Sequence, residues 1–122
     1  MEYTTKYDET KGICTIYVTG QHKRPEDSYF LQKLQRNITE EQGCQRFLFD
    51  MTKADIITNT IDIFDTGTVP FDSDHRQNFQ RVALLYSGPM ADHKFMEDVA
   101  VNRGYQIRVF NEMDEVLEWL LP

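Results

Sequence analysis

Short apolar runs alternate with segments of helical spacing along this chain, and the alternation limits the folds that it can adopt. The runs with the length and composition of strands are "EYTTKY", "GICTIYVTG", "RFLFDM", "RVALLYS" and "YQIRVF". A segment of helical spacing follows every run after the first. Strands that alternate with helices predict an α/β domain, with a mixed central sheet of about five strands and about four covering helices.

The first two runs predict an N-terminal β-hairpin, because the intervening "DETKG" suits a tight connection. The second arm carries apolar side chains on both faces, with Ile13 on one face and Cys14 and Ile16 on the other. We therefore expect this arm in the interior of the sheet. The edge of the hairpin is a surface on which a homodimer could form.

A first helix is predicted over "PEDSYFLQKLQRNITEEQG", where Pro25 suits the first helical position and Gly43 a left-handed stop. The apolar stripe expected to face the sheet consists of Phe30, Leu31, Leu34 and Ile38. The polar "TKAD" is expected to end the third strand. A shorter helix then follows over "TNTIDIFDTG", a loop over "TVPFDSDHRQNF" and another helix over "GPMADHKFMEDVAVNRG".

The last strand changes from strand spacing to helical spacing at Asn111, which predicts a capped final helix. Asn111 suits the N-cap, and Asp114 follows three positions later. The apolar face of this helix consists of Val116, Leu117, Leu120 and Leu121, with Trp119 at its edge. We expect this helix to cover the sheet and to be required for folding.

Length and composition exclude several classes of protein. At 122 residues the chain suits a single domain, residues 1–122. No apolar run approaches the length of a membrane span, and the polar start has no signal-peptide pattern, so a cytoplasmic protein is expected. A net charge of −7 argues against a nucleic-acid partner. Cys14 and Cys44 are expected to be reduced thiols.

No grouping of residues predicts catalysis, a cofactor or a metal. The sequence contains no phosphate-binding glycine loop and no nucleophile elbow. Asp50 and Asp55 flank the predicted end of the third strand and could form a base and its orienter, although turn formation or helix capping explains both. His75 lies near Asp65, Asp72 and Asp74, for which ordinary loop polarity is the interpretation that we favour. His22 is expected to be solvated in a basic loop. We therefore predict a protein that is not an enzyme.

The C-terminal part of the chain resembles a known family. The stretch "RVALLY…FMEDVAVNRGYQIRVFNEMDEVLEWLL" is similar to the C-terminal half of the SpoIIAA-like, STAS/SEC14-like small proteins. Those proteins show a strand of the "RVALV" kind, a helix, a strand ending in Val-Arg-Val-Phe, and an "EAL-x-WL" helix. The match covers residues 81–121, and the earlier hairpin, helix and "FLFDMT" strand match in pattern. The resemblance implies a STAS-like domain related to bacterial anti-sigma-factor antagonists.

The same resemblance bears on regulation. The antagonists carry a phosphorylated serine in an Asp-Ser-Ser-Gly turn after the third strand. If "FDMTKAD" matches that strand and turn, Asp55 falls on the turn aspartate, and Ile56 and Ile57 replace the two serines. The chain then lacks the usual phosphorylatable serine turn, and the switch cannot operate at those two positions. Thr58 and Thr60 lie near enough to be substitute acceptors, although helix capping is the commoner role of such residues.

The sequence favours two functions, and an enzyme that gathers Asp50, Asp55 or His75 in one cleft is a third possibility. The first is a non-catalytic regulatory module that binds a protein partner through the helix after the third strand and its adjoining loops. The second is a carrier of a small apolar ligand or lipid, as the SEC14-like side of the resemblance implies. The candidate ligand-binding or partner-binding residues are Asp55, Ile57, Thr58, Thr60, Ile61, Phe64 and Phe71.

Overall fold

A computed structural model describes residues 1–23, 26–57, 80–88, 94, 97–98, 101–102 and 106–121. Within them lie the strands β1 (Glu2–Asp8), β2 (Ile13–Lys23), β3 (Arg46–Ile57), β4 (Arg81–Leu85) and β5 (Gln106–Phe110). The helices α1 (Glu26–Gln42) and α2 (Met113–Leu120) are described in full. The described residues between 94 and 102 are also helical, as predicted. The helix predicted over "TNTIDIFDTG" and the loop predicted after it lie outside the described residues.

The strands form one mixed sheet in the order β1-β2-β3-β4-β5. β1 and β2 pair antiparallel, and the other neighbouring strands pair parallel. In the hairpin turn, the Asp8 carboxylate accepts hydrogen bonds from the backbone N–H groups of Thr10 and Lys11 at 3.0 and 3.2 Å. Gly12 adopts the left-handed conformation that the turn requires, with φ 68°. The predicted hairpin, the interior second strand and the α/β class are confirmed.

Helices cover both faces of the sheet, because each interior strand has apolar side chains on both sides. One face packs against α1, and its buried residues, the α1-side core, include Cys14, Ile16, Val18, Leu31, Ile38, Phe47, Phe49, Met51, Val82, Ile107 and Val109. The other face packs against α2, and its buried residues, the α2-side core, are Ile13, Leu48, Ala83, Leu85, Phe110, Val116 and Leu120. The alternation along β3, with Phe47 on one side and Leu48 on the other, separates the two cores.

α1 buries a different stripe from the one predicted. Leu31 is buried as expected, but Phe30 is 45% exposed. Two polar residues, Ser28 and Gln35, are buried instead. The Gln35 side-chain amide donates a 2.6 Å hydrogen bond to the Gln80 carbonyl oxygen, and this partner makes its burial tolerable. The prediction about Phe30 was wrong because it ranked residues by apolarity alone.

The final helix covers the sheet, although its cap differs from the prediction. The residue at the N-cap is Glu112, whose side chain makes no capping hydrogen bond, so the prediction of an Asn111 cap is wrong. Val116 and Leu120 are fully buried in the α2-side core. The Trp119 ring lies 5.8 Å from the ring of Phe110, at the edge of that core. Packing therefore fixes the position of α2 without a side-chain cap.

Candidate functional site

The sheet is extended at the carboxyl end of β3, where this strand continues past β4. β3 pairs with β4 from Arg46 to Asp50, whereas its pairing with β2 continues to Ile57. Residues 19–23 of β2 and 53–57 of β3 therefore form a two-stranded extension of the sheet, which we call the ribbon. The prediction that "TKAD" ends the third strand is wrong, since those residues belong to β3.

A β-bulge lies where the ribbon begins. From Tyr17 to Thr19 β2 advances by two residues, while the paired positions in β3 advance by three, from Asp50 to Lys53. The Asp50 carboxylate accepts hydrogen bonds from the backbone N–H and the hydroxyl of Thr52, at 3.0 and 2.6 Å. Asp50 thus satisfies a backbone donor at the bulge, which is a structural task.

The bulge reverses which residues of β3 face α1. Before the bulge, the buried residues on that side are Phe47, Phe49 and Met51. Strict alternation would next bury Lys53 and Asp55. The extra residue instead leaves both of these charged side chains exposed, while Ala54 and Ile56 are partly buried and pack against the α1-side core. The outward face of the ribbon therefore consists of Gln21, Lys23, Lys53, Asp55 and Ile57.

The inward face of the ribbon is attached to the start of α1 through His22. The His22 ring is 2% exposed, and its Nε2 atom lies 3.0 Å from the Ser28 hydroxyl. Its Nδ1 atom lies 3.2 Å from the Met1 sulfur. The backbone N–H of Lys23 also donates to the Asp27 carboxylate at 2.7 Å. The prediction of a solvated His22 is wrong, because β2 continues through this residue and turns its ring under α1.

Two of the predicted site residues lie together on the outward face of the ribbon. Asp55 and Ile57 are two positions apart in β3, and Ile57 is 43% exposed. Because β3 includes residues 55–57, the alignment that assigned the turn aspartate to Asp55 and the two serine positions to Ile56 and Ile57 is wrong. The remaining predicted site residues lie outside the described residues, namely Thr58, Thr60, Ile61, Phe64 and Phe71.

Sequence reasoning missed Lys53 and His22 as parts of this region. Lys53 is exposed beside Asp55 only because of the bulge, and no pattern in "FDMTKAD" indicates a bulge. A signal for His22 does exist in the sequence. His22 continues the alternation of Ile16 and Val18 at even positions of β2. A prediction that allowed a buried polar side chain would therefore have extended β2 through His22.

The described residues show neither a metal-binding cluster nor a membrane-spanning helix. The described part of the chain contains no group of three or more His, Cys, Asp or Glu side chains arranged to hold a metal ion. His75 and the aspartates near it lie outside that part. No helix in the described stretches combines the length and the apolar character that crossing a membrane requires.

Comparisons with known proteins agree with this architecture. No protein-family model matches the sequence, and no curated protein matches it significantly. A crystal structure of an anti-sigma factor antagonist from Mycobacterium paratuberculosis matches with a TM-score of 0.58 and 9% identity, over 98% of this chain and 94% of that one. An uncharacterised protein of the DUF3478 family from Shewanella loihica PV-4, described as having a SpoIIAA-like fold, matches with a TM-score of 0.55 and 18% identity. That match covers 98% of this chain and 92% of the other.

The mixed five-stranded sheet with helices on both faces thus has an α/β, STAS-like fold. More specifically, this chain has the SpoIIAA-like fold, as its C-terminal sequence implied. At identities of 9% and 18% the likeness establishes the fold.

Proposed function

We propose that this protein is a non-catalytic regulatory module that binds a protein partner. The observation that carries the proposal is its match, over nearly the full length of both chains, to a protein named for antagonising an anti-sigma factor. That name describes action on another protein rather than on a small molecule. In the described residues, Asp50 is hydrogen-bonded to Thr52 within its own strand, and this arrangement supports a structural role for the carboxylate.

The proposed contact surface is the outward face of the ribbon. It combines two lysines, one aspartate and the exposed apolar side chain of Ile57. Apolar contact surrounded by charged groups is the usual composition of a protein interface. His22 and Asp27 attach the ribbon to α1, so binding would immobilise little additional backbone. We include the residues that follow β3 in the sequence, Thr58, Thr60, Ile61, Phe64 and Phe71, in the same surface.

Regulation of this contact by phosphorylation is part of the proposal. Because β3 ends at Ile57, the first hydroxyl side chains after the strand are those of Thr58 and Thr60. Both threonines follow shortly after Ile56 and Ile57, the positions at which the resemblance placed the antagonist serines. A phosphate would add roughly 1.5 to 2 negative charges next to a surface that contains Lys23 and Lys53, and would change its complementarity to a partner.

Site-specific photo-cross-linking tests the contact surface. A photoactivatable phenylalanine is placed at Ile57 in one variant and at Met113 in the control, since these side chains are similarly exposed, 43% and 39%. In cells of the source organism, we expect position 57 to capture one defined protein and position 113 to capture none. Equal capture at both positions, or none at position 57, would contradict the proposal.

Phosphomimetic variants extend the same experiment. Thr58→Glu and Thr60→Glu should each change the yield of the cross-linked product at position 57 several-fold. Thr4→Glu, which adds the same charge to an exposed residue of β1, should leave the yield unchanged. An unchanged yield in both the Thr58→Glu and the Thr60→Glu variant would argue against a phosphorylation switch at these threonines. It would leave the proposed partner surface unaffected.

Nothing in the described residues favours the alternative of an apolar-ligand or lipid carrier. Ile57, which was predicted to line an apolar pocket, is instead exposed on the ribbon. The other aromatic and aliphatic residues predicted for that pocket, Ile61, Phe64 and Phe71, lie outside the described residues.

A further inference from the structure

A cavity of about 340 Å³ lies at the other end of the sheet, where β3 and β4 begin. Its lining residues are Tyr7, Gly12, Gly43, Cys44, Gln45, Arg46 and Arg81. They come from four places in the chain: the hairpin, the end of α1, and the first residues of β3 and β4. The volume lies at the lower end of the range for sites that bind small molecules, roughly 300–1,000 Å³.

Among the described residues that line this cavity, two arginines supply the only formal charges. Arg46 and Arg81 are paired neighbours on adjacent parallel strands, so their side chains leave the sheet on the same face. None of the described lining residues carries a carboxylate, although the whole chain has 20 acidic and 13 basic residues. Like charges on two neighbouring residues repel each other, and an anion bound between them would offset that repulsion.

The Arg81 side chain is already oriented by α2. Its Nη1 atom donates a 2.9 Å hydrogen bond to the Trp119 carbonyl, and its guanidinium carbon lies 5.8 Å from the centre of the Trp119 ring. A guanidinium group has five N–H donors, so this contact leaves most of them for a ligand. Neither Arg46 nor Arg81 forms an ion pair with a carboxylate in the part of the chain that the structure describes.

The remaining walls do not cancel this positive charge. Burial raises the pKa of the Cys44 thiol above its ordinary value, so the thiol is neutral at pH 7. The C-terminal end of α1 contributes only about half a unit of negative charge. At Gly12 and Gly43, an added Cβ would meet no atom within 4 Å, in agreement with open space beside both residues.

We propose that this cavity binds a small molecule through an anionic group, a phosphate or a carboxylate, held between Arg46 and Arg81. Arginine forms paired hydrogen bonds with both groups, which makes these two side chains suitable ligands for either. The proposal concerns the end of the sheet opposite to the ribbon and does not depend on the proposed partner surface.

Nuclear magnetic resonance titration of the whole protein with inorganic phosphate, at constant ionic strength, tests the site. We expect saturable shifts of the backbone amides of residues 43–46 and 81. Arg46→Gln should weaken binding by about tenfold or more, because it removes one charge-assisted contact. The control Arg108→Gln removes an exposed arginine that does not line the cavity, and should bind as the unmodified protein does.

Acetate in the same titration distinguishes the two anionic groups. Saturable binding of either phosphate or acetate that depends on Arg46 supports the proposal and identifies the preferred group. The absence of saturable shifts with both anions, or equal affinities for the Arg46→Gln and Arg108→Gln variants, would overturn it. Arg46 is the preferred position for substitution because Arg81 also contacts α2, and a variant there would combine lost binding with lost stability.

Discussion

The two ends of the sheet use buried or half-buried polar groups in opposite ways. At the ribbon end, His22 contacts Ser28, and the Asp50 carboxylate is bonded to Thr52. At the cavity end, Arg46 and Arg81 are paired neighbours, and the part of the cavity lining that the structure describes holds no carboxylate. Internally bonded polar groups fix the shape of the backbone, while arginines that are not paired with a carboxylate keep N–H donors available to a ligand.

This difference separates structural residues from binding residues within one small fold. Replacing a polar group that is bonded inside the protein leaves its partner unsatisfied and reduces stability. Replacing a charge that serves a ligand should reduce binding and leave stability nearly unchanged, as is common for functional sites. Stability measurements on both ends of the sheet can therefore test the assignment of each end.

The largest effect is expected from removal of α2, which supports the cavity end. A fragment of residues 1–110 should be unfolded, because the α2-side core would lose Val116 and Leu120, both fully buried. In the whole chain, Leu120→Ala should lower the free energy of unfolding by about 2–5 kcal/mol. Circular dichroism with denaturant measures both. The control is Met113→Ala, at an exposed position of α2, and cooperative unfolding of the fragment would show the reasoning to be wrong.

A smaller effect is expected at the ribbon end from His22→Ala. The substitution removes the contact with the Ser28 hydroxyl and should lower the free energy of unfolding by about 1–3 kcal/mol. Lys23→Ala is the matched control, because the exposed Lys23 side chain can be removed while its backbone hydrogen bond to Asp27 remains. If both variants were equally stable to denaturant, His22 would not be what holds the ribbon to α1.

The smallest effect on stability is expected from Arg46→Gln at the cavity end. Without added anion, the free energy of unfolding should change by less than about 0.5 kcal/mol, since the substitution also relieves repulsion from Arg81. Added phosphate should then stabilise the unmodified protein more than the variant. A loss of stability as large as that of His22→Ala, with no phosphate dependence, would make Arg46 a structural residue and remove the contrast between the two ends.

Much of the fold could be predicted because its signals are local. The turn residues between the first two runs predicted the hairpin, and apolar side chains on both faces predicted an interior second strand. Gly43 marked the end of α1, where it adopts a left-handed conformation with φ 69°. In each case the controlling interaction lies within a few residues in the sequence, so composition and spacing are sufficient.

The wrong predictions concern residues whose structure is set by contacts with distant parts of the chain. "TKAD" was expected to end a strand because these polar residues follow the short apolar run "RFLFDM". The pairing of β3 with β2, through a bulge, turns both outward and continues the strand to Ile57. Because of this error, the turn was predicted at Asp55, and the positions equivalent to the antagonist serines were predicted at Ile56 and Ile57.

The sequence by itself determined the class of fold, the order of the elements that the structure describes and the face that α2 buries. Only the tertiary structure decided the two candidate sites. The ribbon exists because two strands pair beyond the end of a third, and the cavity joins Tyr7, Arg46 and Arg81, which are far apart in the sequence. Periodicity reports which face of an element is buried. It carries no information about which residues of different elements become neighbours, because strand pairing sets those distances.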